Sequence, residues 1–160
     1  MTRHRLTLER FLPYRLSVAS NAVSDRIAAG YRGRFGLKIA EWRLIAILAE
    51  AGAMTQQALG ARTRMDKIPV SRAATALVER GLVATARHPS DGRSHLLSLT
   101  PAGEALYAEI APLALSLEQA LLSGFTAQER AQLAGLLRRL EDAADAMGAT
   151  GDGAAPVSAG

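Results

Sequence analysis

Apolar residues fall at helical spacing over most of the chain. Leu12, Leu16, Ala19, Val23, Ile27 and Tyr31 make one row with steps of four, three, four, four and four, the signature of one face of a long helix. Pro13 fits its first turn, where the missing N–H has no partner to lose, and Gly30, Gly33 and Gly36 end it. Residues 1–10 are polar and read as an arm. A second helix is predicted from Ile39 to Ala51, with Ile39, Trp42, Ile45 and Leu48 inward and Gly52 as its stop.

Two short helices follow. Thr55 is an N-cap for a helix from Gln56 to Thr63, with Ala58, Leu59 and Ala61 available for close packing. Arg64-Met65 forms the turn, with Met65 inward. Asp66 then caps a helix that carries Pro69 in its first turn and ends near Glu79 or Arg80, with Gly81 as left-handed cap. Val70, Ala73, Ala74, Leu77 and Val78 form its inner stripe. Ile68, Pro69, Ser71, Arg72 and Thr75 are left outward near its N-terminal end.

The period then changes from helical to two. Residues 82–87 and 94–99 alternate and read as paired strands around His88-Pro89-Ser90-Asp91-Gly92-Arg93, a run of turn-formers. Thr100, Pro101 and Glu104 open another helix, whose apolar row is Leu106, Ile110, Leu113, Leu117 and Leu121, with a kink expected at Pro112. Ser123-Gly124 breaks it, Thr126 and Glu129 form a capping box, and a last helix places Leu133, Leu136, Leu137 and Leu140 inward. From residue 148 onward Gly, Ala, Ser and Pro predict a disordered tail.

This order is mainly α with a small β-hairpin, an α+β chain whose middle is a winged helix-turn-helix. The outward face of the fourth helix suits a DNA major groove: Arg bonds guanine O6 and N7, Ser and Thr bond several bases, and methyl groups meet thymine methyls. An ordinary solvated helix face is the plain alternative. The hairpin favours the first reading, because a thin tip with Arg93 has the shape to enter a minor groove. Asp91 is expected to accept hydrogen bonds from Arg93 and fix that side chain's direction. The plain alternative here is a solvated tip with an incidental ion pair.

Charge agrees in sign without deciding the matter. Residues 1–59 carry nine Lys/Arg against four Asp/Glu, residues 60–95 seven against three, and residues 96–160 three against eight. A basic front and an acidic back fit an oriented anionic partner. With no cysteine, disulfides, thiol redox sensing and thiolate metal sites are excluded. No signal-peptide core and no long apolar run is found, so a cytoplasmic protein without membrane contact is expected. The histidines are His4, His88 and His95, and no Ser–His–Asp or Cys–His set exists at a useful spacing. A metal site at His88, Asp91 and His95 would lack a supporting second layer of ligands on a hairpin tip. Neither an enzyme nor a cofactor is expected.

Several motifs together resemble the MarR family of bacterial transcriptional regulators. They are Thr55-Gln56-Gln57-Ala58-Leu59, then Asp66-Lys67 before Val70-Ser71-Arg72, then Leu77-Val78-Glu79-Arg80-Gly81-Leu82-Val83. Asp91-Gly92-Arg93 and Leu97-Ser98-Leu99-Thr100-Pro101-Ala102-Gly103 complete the set. The likeness covers roughly residues 10 to 147. This chain differs in holding one wing arginine between Asp91 and Thr100, where many relatives hold two, and in its early Pro69.

The resemblance implies a DNA-binding region at 37–99, helical dimerisation regions at 10–33 and 101–147, and the tail at 148–160. It implies a homodimer on double-stranded DNA, usually a repressor on an inverted-repeat operator, with half-sites on the order of 34–36 Å apart. It also implies a small phenolic or other aromatic effector. The residues taken for DNA contact are Lys67, Ile68, Pro69, Ser71, Arg72, Thr75, Arg62, Arg64, Arg87, Asp91 and Arg93. Arg15, Asn21 and Trp42 are taken for the effector, Trp42 having core packing as its plain alternative. A winged helix used only for protein–protein assembly is the competing function.

Overall fold

The computed structural model describes residues 6–151, so His4 lies outside the described residues. A 3-10 turn, Leu8–Arg10, leads into α1 (Leu12–Phe35), α2 (Ile39–Ala51), β1 (Met54–Thr55), α3 (Gln56–Thr63) and α4 (Lys67–Glu79). The hairpin β2 (Val83–Arg87) and β3 (His95–Leu99) follows, then α5 (Pro101–Leu121) and α6 (Ala127–Gly151). The fold is mainly helical with a three-stranded antiparallel wing. The chain forms one compact unit up to Leu117 and a second from Glu118.

The first unit is built on an aliphatic core from α1, α2, α3, α4, the sheet and the first half of α5. Tyr31, Leu37, Leu44, Ile45, Leu59, Val70, Leu77 and Ile110 are fully buried in it. Local chemistry sets the element ends. The Thr55 hydroxyl accepts the Ala58 N–H at 3.2 Å. Gly81, at φ 69°, sits in the left-handed region that ends α4, and the Leu82 N–H returns to the Leu77 carbonyl at 2.9 Å. Asp66 occupies the N-cap position of α4 with extended backbone, but its side chain accepts no capping hydrogen bond.

The structure differs from the sequence reading in several places. Helix α1 runs through Gly30 and Gly33 to a left-handed cap at Gly36, and Ala28 and Tyr31, on either side of Gly30, are held in the core. The wing has the order β1-β3-β2, with Met54 opposite Leu97 and Thr55 opposite Leu96. Two residues are too few to show alternation, so β1 is recognisable only by its partner. Val78 is 38% exposed and does not join the inner stripe. The half-buried Ser71 is less outward than expected, whereas Leu44 and Glu41 of α2 are buried. Pro112 does not interrupt α5, which runs unbroken from Pro101 to Leu121.

In the second unit, Thr126 and Glu129 form the capping box. The Thr126 N–H donates to Glu129 Oε2 at 2.7 Å, and the Glu129 N–H donates to Thr126 Oγ1 at 3.2 Å. Arg130 donates to the carbonyls of Leu122 at 2.6 Å and Phe125 at 3.1 Å, closing the turn before α6. The leucines of α6 are not inward: Leu133, Leu136, Leu137 and Leu140 are all exposed, Leu136 at 57%. The helix reaches Gly151 and so takes in the first four residues of the predicted tail, 148–151; the rest of that stretch lies outside the described residues.

Candidate nucleic-acid interface

Helix α4 presents its N-terminal half to solvent. Ile68, Arg72 and Thr75 stand four and three residues apart, on one exposed face, with Lys67 and Pro69 exposed beside them. The opposite face, Val70, Ala73, Ala74 and Leu77, is buried against α2 and α3. Alanine at two successive inner positions lets α4 approach its neighbours closely.

The hairpin stands next to this face. Its tip is held by backbone: the His88 N–H donates to the Ser94 carbonyl at 3.0 Å and the Ser94 N–H to the Asp91 carbonyl at 3.1 Å. Asp91 Oδ1 accepts the backbone N–H of Arg93 at 3.1 Å. From sequence that carboxylate is expected to hold the Arg93 side chain. The structure instead gives it to the backbone amide, because an Asp two residues ahead closes a local turn more directly than it reaches a long side chain. No ion pair of the Arg93 guanidinium is found among the described residues, and the side chain is exposed. His88 Nδ1 accepts the Ser90 N–H at 3.2 Å, so that nitrogen is engaged within the tip. Among the described residues no group of His, Asp or Glu is placed to hold a metal ion.

Between α3 and the wing lies a cleft that no motif in the sequence marks. Gln56 and Gln57 of α3 line it with Thr55, Thr85, Ser94 and His95. Gln56 also borders a shallower groove with Thr75, Val78 and Glu79. The sequence shows two glutamines directly after an N-cap, but exposure toward the wing follows only from the packing of α3 on α4.

The outlying cations behave differently from one another. Arg62 is paired with Glu50 at 3.3 Å, both side chains exposed. Arg64 takes the left-handed conformation in the α3–α4 turn, at φ 53°. Arg87 ends β2 opposite His95. Lys67, Arg72, Arg87 and Arg93 therefore lie on α4 and the wing, and Arg62 and Arg64 at the foot of α3.

The proposed effector residues are not gathered within one chain. Trp42 is half-buried, stacked on Tyr107 at 5.9 Å and against Tyr31 at 5.1 Å. Arg15 and Asn21 are exposed on α1, roughly 24 and 15 Å along the helix from Tyr31 at 1.5 Å per residue. A small ligand at Trp42 does not span that distance. Burial raises the Tyr31 hydroxyl above its ordinary pKa.

Residues 35–94 match the model of the MarR family. The chain is 31% identical over 104 residues to the uncharacterized HTH-type transcriptional regulator YwoH of Bacillus subtilis, covering 65% of this chain and 75% of that one. It spans 49% to 58% of the lengths of the other curated regulators it matches. Among solved structures, a MarR/EmrR family regulator from Acinetobacter sp. ADP1 superposes with a TM-score of 0.81 at 28% identity, over 88% of this chain and 99% of that one. BpsR of Bordetella bronchiseptica, whose DNA binding is regulated by 6-hydroxynicotinic acid, superposes with a TM-score of 0.78 at 25% identity, over 86% and 98%. With its helix-turn-helix, wing and flanking helices, the chain belongs to the MarR family of DNA-binding transcriptional regulators, which are not enzymes.

Proposed function

We propose that this chain is a ligand-responsive repressor that binds an inverted-repeat operator as a homodimer in the cytoplasm. The observation that carries the reading is the pairing of two exposed elements: the face of α4 with Ile68, Arg72 and Thr75, and the wing tip with Arg93. In this reading Ser71, Arg72 and Thr75 read base edges, Ile68 and Pro69 meet methyl groups, and Arg93 enters the minor groove. Asp91 acts on DNA only through the turn it closes. Lys67, Arg62, Arg64 and Arg87 neutralise phosphates, Arg62 after release from Glu50.

Dimerisation is supported by apolar surface that one chain leaves bare. Leu12 is 71% exposed on α1, and Leu136 and Leu140 are 57% and 47% exposed on α6. Monomers rarely leave such rows in water. The effector we assign is a small aromatic acid lying against Trp42, as the regulation of BpsR by such an acid suggests. Arg15 and Asn21 belong to that site only if the second copy supplies them.

Selection of bound sequences from random duplex DNA, followed by sedimentation, tests the reading. An inverted repeat and twice the 16.9 kDa chain mass are expected. Absence of any enriched sequence would favour the protein–protein assembly reading instead. Trp42 is the sole tryptophan, so quenching of its fluorescence by an aromatic acid, with loss of DNA binding, tests the effector.

A further inference from the structure

The guanidinium of Arg80, at the C-terminal end of α4, donates to the carbonyls of Phe35 at 3.1 Å and Gly36 at 3.3 Å. These are the last carbonyl of α1 and that of its cap, which lack helical donors at the negative end of the helix. The same guanidinium lies 3.8 Å from Glu41 Oε2 in the first turn of α2. Glu41 is the one buried charged residue among the described residues, 6% exposed, and its carboxylate also accepts the Lys38 N–H at 3.1 Å. One side chain therefore joins the end of α4, the end of α1 and the start of α2, across more than forty residues.

We infer that Arg80 is a positioning residue that sets the angle of α4 against α1, and so the half-site spacing the dimer accepts. The inference rests on the homodimer reading. Helix α4 has 13 residues and is about 20 Å long. Its clamp is at one end and its outward residues, Ile68 and Arg72, are at the other. A rotation of about 10° about the clamped end moves the far end by roughly 3 Å over that length. That is close to the rise of one base pair, about 3.4 Å.

The inner face of α4, Val70, Ala73, Ala74 and Leu77, docks the helix by shape. Ala73 and Ala74 at its middle are small and their dispersion contacts are not directional, which leaves the last few degrees of its angle to a directional contact. The polar clamp is directional, and it takes its bearing from α1, the helix whose exposed apolar row is assigned to the partner copy. A purely stabilising ion pair would leave DNA geometry alone, and that difference can be measured.

Arg80→Lys keeps the positive charge beside buried Glu41 but loses the fork that reaches two carbonyls. Glu41→Gln keeps an acceptor for the Lys38 N–H and removes the ionic partner. Both full-length variants and the parent protein would be titrated against the selected operator and against operators with the half-sites one base pair closer or farther. The parent is expected to lose about tenfold or more on the shifted sites, the scale of one wrong base pair. Arg80→Lys is expected to reduce that penalty to about threefold or less, and Glu41→Gln to an intermediate value, with dimer mass and salt slope unchanged.

An unchanged spacing penalty in Arg80→Lys overturns the inference. A salt slope lowered by about one overturns it too, since Arg80 would then be a phosphate contact. A parent protein indifferent to spacing overturns the homodimer reading and this inference with it.

Discussion

The hydroxyl of Thr100 donates to the Gly81 carbonyl at 2.6 Å and accepts the Gly103 N–H at 3.1 Å. It thus caps α5 and ties it to the residue that ends α4. Gly103 lies against the same junction: a Cβ there would collide with the Leu82 carbonyl oxygen and come within 3.2 Å of a Leu99 methyl. Gly103→Ala is therefore expected to destabilise the protein by on the order of 2 kcal/mol, although alanine is the better helix former by about 1 kcal/mol. Thr100→Val removes the cap and leaves the Gly81 carbonyl without its donor, at a cost of about 1–2 kcal/mol. Chemical denaturation checks both. A Gly103→Ala protein as stable as the parent would contradict the close approach of α5 to Leu82.

Arg93 sits at a tip fixed by the Asp91–Arg93 backbone hydrogen bond. Arg93→Ala is expected to weaken binding to all A·T-flanked sites and to lower the salt slope by about one. Gel-shift titration at several salt concentrations measures both. Unchanged affinity would remove the wing from the interface. Asp91→Asn is expected to have a small effect, because an amide oxygen still accepts the Arg93 N–H.

Arg72 lies between Ile68 and Thr75 on the exposed face of α4. Arg72→Ala is expected to cost ~1–3 kcal/mol on the selected operator and to relax preference at one base position. Equal losses on every sequence would make Arg72 a phosphate contact instead.

Glu129 offers a pH test of the second unit. The Thr126 backbone N–H, and then its hydroxyl, hold the Glu129 carboxyl below its ordinary pKa. The native pKa lies below the unfolded one, so the capping contribution is present above the unfolded pKa and is lost as pH falls through the native value. The stability difference between the parent and Glu129→Gln is expected to be largest near neutral pH and to shrink on acidification. A difference that grows in acid would contradict the capping box.

The sequence alone determined the order and type of the helices and of the hairpin, most of their ends, and the family. These signals are local. Thr55 caps α3 through a bond spanning three residues, Gly81 ends α4 by its own backbone freedom, and Thr126 and Glu129 complete one another inside a single turn. Helical spacing also marked Val70, Ala73, Ala74 and Leu77 as one face, and that face is buried.

Tertiary structure decided what covers each face. The period of an apolar row identifies which residues share a side, not whether anything lies against it. The α6 leucines fall in a perfect row and remain exposed, and Val78 shares the spacing of the inner stripe but reaches solvent. Strand β1 exists because Met54 and Thr55 meet Leu97 and Leu96. Arg15 and Asn21 sit on the same chain as Trp42 but turns away along α1. Arg80 and Glu41 are 39 positions apart, with nothing in either neighbourhood to mark them as partners; only the packing of α4 into the α1–α2 corner brings them to 3.8 Å. Contacts of that span depend on how whole helices dock, and docking is set by the shapes of buried surfaces rather than by any stretch of sequence read alone.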